Sequence, residues 1–161
     1  MESSHRCDCW HSCACAENRG ATKEMQRRFD SACSGGDIDA VKYLLSMDCD
    51  DHLEKGFQAA CACGHDSTVQ LLLSLEGDSR IDVHAGDEAA FRGACWNGQT
   101  GVVQLLLSLD GDRRIDVQAA DNDAFRSACW CGHGGVVEAL LCVDGGRCID
   151  VHAGDEDAFR G

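Results

Sequence analysis

The chain has 161 residues, of which 44% are hydrophobic, and it contains 18 glycines, 13 cysteines and no proline. This apolar content argues against global disorder, and the formal net charge of −14 argues against nucleic acid or an anionic membrane as the main partner, since both would repel it. No run of about 18 apolar residues occurs in the sequence, so no membrane-spanning segment is predicted.

Residues 1–21 are predicted to form a flexible, cysteine-rich tail. They contain no apolar segment typical of a secretory signal, so we expect reduced thiols and a cytoplasmic location, with a nuclear one left open. Thiolate and imidazole ligands suit zinc or copper(I), but Cys-x-Cys pairs close a tetrahedral site poorly. We therefore favour a redox-sensitive tail without metal or cofactor, and keep metal binding open. Its candidate ligands are His5, Cys7, Cys9, His11, Cys13 and Cys15.

An internal repeat organises the rest of the chain. The pattern Phe-x-x-Ala-Cys begins at four phenylalanines, and a fifth phenylalanine follows, with spacings of 28, 34, 34 and 34 residues. Two successive 34-residue units are identical at 20 positions without a gap. We predict a repeat domain over residues 22–161 with about four repeats, near 22–52, 53–86, 87–120 and 121–154, plus a fifth start at 155–161. The phenylalanines are Phe29, Phe57, Phe91, Phe125 and Phe159.

Each repeat predicts two helices joined by a tight turn. In the third repeat, Asp87 and Glu88 make an acidic start that can cap the first helix. Phe91 lies in that helix, and Gly98 suits a left-handed C-terminal cap, where a side chain would be strained. Residues 102–109 then carry the apolar spacing of a second helix. The equivalent cap glycines are Gly36, Gly64 and Gly132.

A Gly/Asp/Arg-rich connector follows the second helix. Residues 110–114 lead to Ile115-Asp-Val117, where apolar residues alternate, so a brief strand or hairpin arm is predicted. Ile-Asp-Val also occurs at 81–83 and 149–151, but the first repeat lacks it, which explains the 28-residue spacing. Helix, turn, helix and an extended or hairpin connector together predict an all-α solenoid of stacked helix pairs.

The segment that runs from the first helix into the second in each unit resembles the ankyrin repeat. Residues 94–107, Ala-Cys-x-x-Gly-Gln-x-x-Val-Val-x-Leu-Leu-Leu, are similar to the family pattern A-A-x-x-G-H-x-x-V-V-x-L-L-L. The resemblance covers residues 29–161. The family's T-P-L-H opening is replaced by Ala-Ala-Phe-Arg at 89–92, so the proline-initiated turn is absent and the hairpin geometry is expected to differ.

The resemblance implies that the chain binds another protein in a groove. The two residues after each Ala-Cys pair would face this groove, which places Trp96-Asn97 and Trp130-Cys131 there one repeat apart. Exposed tryptophans are typical binding hot spots. The alternative is that each tryptophan packs on a neighbouring helix.

The acidic repeat starts would line the rim of the same groove. Such a rim would select a basic segment of the partner, whereas helix capping and solubility are the favoured alternative. Arg92 and Arg126 are placed to bridge these carboxylates between repeats. The candidate rim residues are Asp87, Glu88, Asp121 and Asn122.

Cysteines and histidines inside the repeats predict structural roles. Thiols directly after the core alanine are expected to be buried as small apolar groups, and thiols two residues later to be accessible. His65 and His133 follow cap glycines and are expected to bond nearby backbone. The predicted buried thiols are Cys33, Cys61, Cys95 and Cys129; the accessible ones are Cys63 and Cys131.

The sequence contains no familiar catalytic motif. Gly-x-Ser-x-Gly, a phosphate-binding loop and His-Glu-x-x-His are all missing, and nothing orients His133 toward Cys131. We therefore predict a non-enzymatic interaction module, a scaffold or adaptor. The alternative is a metal-binding or redox-responsive protein acting through the tail. Since the sequence stops inside a fifth first helix, we also expect a fragment or truncated product with a fraying C-terminal end.

Overall fold

The computed structural model of the chain describes residues 14–47, 53–77 and 80–142. Within these ranges the secondary structure includes eight α-helices and a 3-10 turn at Gly111–Arg113, without a strand. The helices are α1 (Ala14–Gly35), α2 (Ile38–Leu45), α3 (Leu53–Cys63), α4 (Asp66–Leu73), α5 (Ala85–Trp96), α6 (Thr100–Leu107), α7 (Ala119–Trp130) and α8 (Gly134–Leu141).

The helices form two layers. The first helices of the repeats, α1, α3, α5 and α7, each contact the next one along the chain, and the second helices, α2, α4, α6 and α8, do the same. Each first helix also packs on the second helix of its own repeat. The predicted all-α solenoid of stacked helix pairs is therefore confirmed.

The repeated phenylalanine forms the centre of the core. Phe29, Phe57 and Phe91 are each 1% exposed, and burying a side chain of this size contributes about 1.5–3 kcal/mol. Phe125 is only partly buried, because no helix in the described ranges covers α7 as α7 covers α5. The stacking of one first helix on the next therefore buries much of the apolar surface of each repeat.

The cap glycines adopt the conformation that the sequence predicted. Their φ angles are +70°, +79°, +72° and +74° for Gly36, Gly64, Gly98 and Gly132. At Gly98 there is a second requirement, since a Cβ would lie 2.6 Å from Nδ1 of His133 in the next repeat. Glycine is needed there both for its backbone and for the close approach of the imidazole.

The connectors differ from the prediction in one respect. Arg114 has extended backbone (φ −66°, ψ 117°), and Ile115 and Val117 are each 2% exposed. However, the predicted strand or hairpin arm is wrong for the described connectors, because the chain reverses in a left-handed turn that leaves no second arm to pair. Three successive residues form this turn within the first residues of α5 and of α7, where the chain kinks: Gly86, Asp87 and Glu88 at φ 69°, 55° and 61°, and Ala120, Asp121 and Asn122 at φ 53°, 56° and 59°.

Part of the segment assigned to the tail is helical. Helix α1 begins at Ala14 and has 22 residues, so residues 14–21 lie within it. The domain boundary at residue 21 stays a prediction. Residues 1–13 lie outside the described part of the chain.

Candidate partner-binding face

Exposed side chains at the C-terminal ends of the first helices form what we call the Trp face. Its large members are Trp96, the last residue of α5, and Trp130, the last residue of α7, which are 55% and 87% exposed. Packing on a neighbouring helix therefore does not account for Trp130 among the described residues. The Trp face consists of Ser34, Cys63, Trp96, Asn97, Trp130 and Cys131, all of them exposed.

Local helix-end chemistry places these residues. The Asn97 side chain donates to the carbonyl of Gly93 at 2.8 Å, and its backbone amide donates to the same oxygen at 3.1 Å. Cys131 closes α7 in the same way, through its amide and the carbonyl of Ser127 at 2.9 Å. Helices α5 and α7 thus end at their tryptophans before the cap glycine reverses the chain.

Hydrogen bonds between repeats fix the backbone of this face. His133 Nε2 lies 2.9 Å from the carbonyl oxygen of Trp96 in the preceding repeat. His65 and Gln99 make the equivalent bonds to the carbonyls of Ser34 and Ala62, at 2.7 Å and 3.2 Å. Because a carbonyl oxygen only accepts, the Nε2 atoms donate. The structural roles predicted for His65 and His133 are confirmed, and the backbone they bond belongs to the preceding repeat.

The two tryptophans lie on adjacent helices at the same register. Packed helix axes are about 8–10 Å apart, so the indole rings stand within reach of a single bound segment. The equivalent positions earlier in the array carry Ser34 and Ala62, which are small. The face is therefore aromatic at α5 and α7 and open at α1 and α3.

Two of the four candidate rim residues are exposed and two are buried. Asp87 and Asp121 are exposed, but Glu88 and Asn122 are 3% and 4% exposed, so the prediction that these two line an exposed rim is wrong. The left-handed turns bury the third turn residue instead of presenting it. The helix-capping role is also wrong for Glu88, whose Oε1 accepts the amide hydrogen of Asp116 at 3.0 Å, outside its own helix.

A histidine that sequence reasoning missed completes the surroundings of Glu88. His84 Nδ1 lies 2.7 Å from Glu88 Oε1, and His84 Nε2 lies 2.8 Å from the carbonyl oxygen of Asp112. The hydrogen bond with Glu88, and then that with the Asp112 carbonyl, raise the pKa of His84. The i,i+4 spacing of His84 and Glu88 was the available signal.

Comparison with protein-family models gives one match. A model described as ankyrin repeats (3 copies) matches residues 29–119, which is more than half of the chain. The chain belongs to the ankyrin-repeat family. Comparison with curated proteins and with solved structures finds no match. Ankyrin repeats are generally protein–protein interaction modules and are typically not enzymes.

Ion pairs link successive ankyrin repeats. Arg92 Nη1 lies 3.8 Å from Asp123 Oδ2 in the next repeat, so the predicted bridging role of Arg92 is confirmed. The same role for Arg126 stays a prediction. Arg80 pairs with Asp112 at 2.7 Å and holds the pKa of that carboxyl below its usual range. Such exposed pairs contribute little stability.

The thiols of the repeats separate into two classes. Cys33, Cys61 and Cys95 are 0% exposed, as predicted, and burial raises the pKa of Cys33 and of Cys95 to about 12. Cys129 is exposed, so its predicted burial is wrong. The first helix of the next repeat covers the earlier thiols, and no described helix follows α7 in that position. Cys63 and Cys131 are exposed, as predicted.

The candidate metal ligands of the tail are largely outside the described ranges. His5, Cys7, Cys9, His11 and Cys13 fall there, and Cys15 lies within α1. Among the described residues, no group of three or more His, Cys, Asp and Glu could hold a metal ion. No described helix is both long and apolar enough to cross a membrane.

Proposed function

We propose that the chain is a scaffold or adaptor that binds a partner protein on the Trp face. The observation that carries this proposal is the exposure of Trp96 and Trp130, at 55% and 87%, on adjacent helices. Leaving two indole rings in water is unfavourable, and their burial by a partner would supply the large apolar contacts typical of hot spots. The hydrogen bond from His133 to the Trp96 carbonyl supports a face that is formed before the partner arrives.

Charge supports a partner with a basic segment. Asp87 and Asp121 are exposed beside the first helices, Asp82 and Asp116 are exposed on the connectors, and the net charge of the chain is −14. These carboxylates would speed the approach of a basic segment and would disfavour nucleic acid and anionic membranes. A cytoplasmic or nuclear location is part of the same proposal.

The surroundings of His133 support a role in binding and not in catalysis. Its Nε2 donates to the Trp96 carbonyl, and its ring lies against Gly98, where a Cβ would be 2.6 Å from Nδ1. Both ring nitrogens of His133 thus lie against the preceding repeat, Nε2 at the Trp96 carbonyl and Nδ1 beside Gly98. A histidine held in this way is poorly placed to activate the thiol of Cys131.

Measurement of partner affinity in matched variants tests the proposal. Partners of the tagged full-length chain are captured from a cell extract, identified and purified, and their affinities are measured by calorimetry. We expect Trp96→Ala with Trp130→Ala to weaken binding by about 30-fold or more, the effect of losing about 2 kcal/mol at a hot spot.

The matched control is Tyr43→Ala with Met47→Ala. These side chains are 64% and 47% exposed but lie in and after α2, in the layer of second helices. The control variant should bind the partner with a dissociation constant within about threefold of that of the parent protein, since surface contacts outside an interface contribute little. Equal affinities for the tryptophan variant and the parent, with helical circular dichroism retained, would remove the Trp face from the proposal.

A further inference from the structure

Glu88 joins two successive connectors from a buried position. Its carboxylate, at the start of α5, accepts the Asp116 amide hydrogen at 3.0 Å, in the segment that precedes α7. His84, directly before α5, reaches the same segment through the Asp112 carbonyl at 2.8 Å. The 2.7 Å contact between His84 Nδ1 and Glu88 Oε1 ties the two links together. One side-chain pair therefore holds two connectors of neighbouring repeats.

This geometry requires one proton between His84 Nδ1 and Glu88 Oε1. His84 Nε2 must carry a hydrogen, because the Asp112 carbonyl opposite it can only accept. If Nδ1 and Oε1 were both unprotonated, two lone pairs would face each other at 2.7 Å. The imidazole therefore carries the additional proton, and the pair holds one proton more than a neutral histidine beside a carboxylate.

Burial makes the loss of this proton costly. Glu88 is 3% exposed, and its Oε2 is buried without a hydrogen-bond partner. Without the proton, the neutral imidazole keeps one hydrogen, so either Nδ1 turns a lone pair to the buried carboxylate or Nε2 turns one to the Asp112 carbonyl. One of the two hydrogen bonds of His84 is then lost, and the tie between the connectors weakens.

We propose that His84 and Glu88 form a pH-dependent latch between the segments that precede α5 and α7. The latch is closed while the pair holds its shared proton and opens when that proton is lost. It does not depend on the Trp face or on any partner. Acidic conditions therefore stiffen these connectors, and alkaline conditions loosen them.

The pH range of the latch follows from the raised pKa of His84. A group whose pKa is higher in the folded than in the unfolded state stabilises the fold fully below the unfolded value, which is about 6.5 for histidine. This stabilisation is lost as the pH rises through the folded pKa. The latch therefore opens at a pH above the ordinary pKa range of histidine.

Charged side chains of the surrounding segments influence the pKa of His84. Asp82 favours the protonated form of His84, as Glu88 does. The Asp112 carboxylate is paired with Arg80 at 2.7 Å, so these two charges largely cancel in their effect on the imidazole. The charged residues near the latch are Arg80, Asp82, Asp87, Asp112, Arg113 and Asp116.

The array itself supplies an uncharged version of the pair. Thirty-four residues after His84 and Glu88 the chain carries Gln118 and Asn122, which do not titrate. Asn122 is 4% exposed in a left-handed turn of the same kind. The double variant His84→Gln with Glu88→Asn therefore transfers a pair that the fold already accommodates.

Two measurements on the full chain test the latch. Nitrogen-15 NMR of the His84 ring follows both ring nitrogens against pH, and amide exchange measures the protection of the Asp116 amide after correction for its intrinsic rate. We expect His84 to remain doubly protonated above its ordinary pKa. We expect Asp116 protection to fall about two- to tenfold across the transition, the typical net loss of one hydrogen bond.

The variant and a core amide serve as controls. Asp116 protection in His84→Gln/Glu88→Asn should not change with pH, and Val103, whose amide donates to the Gln99 carbonyl at 2.9 Å, should be unaffected in both proteins. The latch is refuted if His84 titrates at or below its ordinary pKa, or if Asp116 shows the same pH dependence in both proteins. Should the double variant fail to fold, the ring titration of the parent protein decides alone.

Discussion

The imidazole of His133 donates a hydrogen bond of 2.9 Å to the backbone carbonyl of Trp96, one repeat earlier. The bond connects the residue after one cap glycine to the last helical residue of the preceding first helix. Packing of the array therefore fixes the backbone that carries the more buried of the two exposed tryptophans. A partner that uses this face would spend little free energy on ordering it.

Replacement of His133 tests how much this bond contributes. We expect His133→Ala to lower the free energy of unfolding by about 1–2 kcal/mol, because a hydrogen bond and the packing against Gly98 are both lost. His133→Gln should lower the free energy of unfolding by less than about 0.5 kcal/mol, since Gln99 makes the equivalent bond to the Ala62 carbonyl. Urea denaturation followed by circular dichroism measures both. Equal losses in the two variants would contradict the proposed role of the bond.

The left-handed turns predict that a glycine substitution stabilises the protein. Ala120 has φ +53°, where a Cβ costs about 1–2 kcal/mol, and the equivalent residue one repeat earlier is Gly86. Ala120→Gly should therefore raise the free energy of unfolding by about 1 kcal/mol after the larger chain entropy of glycine is subtracted. Gly86→Ala is the reverse control and should lower it by about 1 kcal/mol. Shifts of the same sign in both variants would exclude this backbone conformation.

Thiol reactivity separates the two classes of cysteine. Cys33, Cys61 and Cys95 are buried, and burial raises the pKa of each, so their thiolates are scarce near neutral pH. A maleimide reagent should modify the exposed thiols at least about a hundredfold faster than these three, as mapped by peptide mass spectrometry. Among the cysteines that the structure describes, the exposed thiols are Cys63, Cys129, Cys131 and Cys142. Rapid labelling of Cys95 in the folded protein would contradict its place in the core.

The exposed carboxylates predict an effect on the rate of partner association. We expect Asp87→Asn with Asp121→Asn to slow association severalfold at about 50 mM salt and to have little effect at about 300 mM, where screening removes long-range attraction. Dissociation should change little. Stopped-flow fluorescence with the purified partner measures both rates. Asp39→Asn with Asp66→Asn removes the same charge from exposed positions on second helices and should leave association nearly unchanged.

The repeat period and the helix ends could be predicted from the sequence because each is a local property. Phe91 is buried and Gly98 has a positive φ for reasons that a single repeat already contains, and repetition in register makes both signals specific. The resemblance to ankyrin repeats in these segments led to the same solenoid.

The details that were missed depend on contacts between repeats or on the route of the connector. Glu88 was assigned to a rim from its charge, but three successive left-handed residues bury it against the Asp116 amide. Cys129 lies in the same Phe-Arg-x-Ala-Cys-Trp pattern as Cys95, but no described helix covers it. Neither outcome is visible in the residues of one repeat.

Site-specific photocrosslinking tests the central claim, that the Trp face binds the partner, most directly. A photoreactive amino acid is placed at Asn97 or Cys131 on the Trp face, or at Gln104, which is exposed on the second helix α6. The account predicts that the partner lost in the tryptophan double variant crosslinks at positions 97 and 131 and not at 104. Crosslinking at 104 with none at 97 or 131 would contradict it and would move the interface to the layer of second helices.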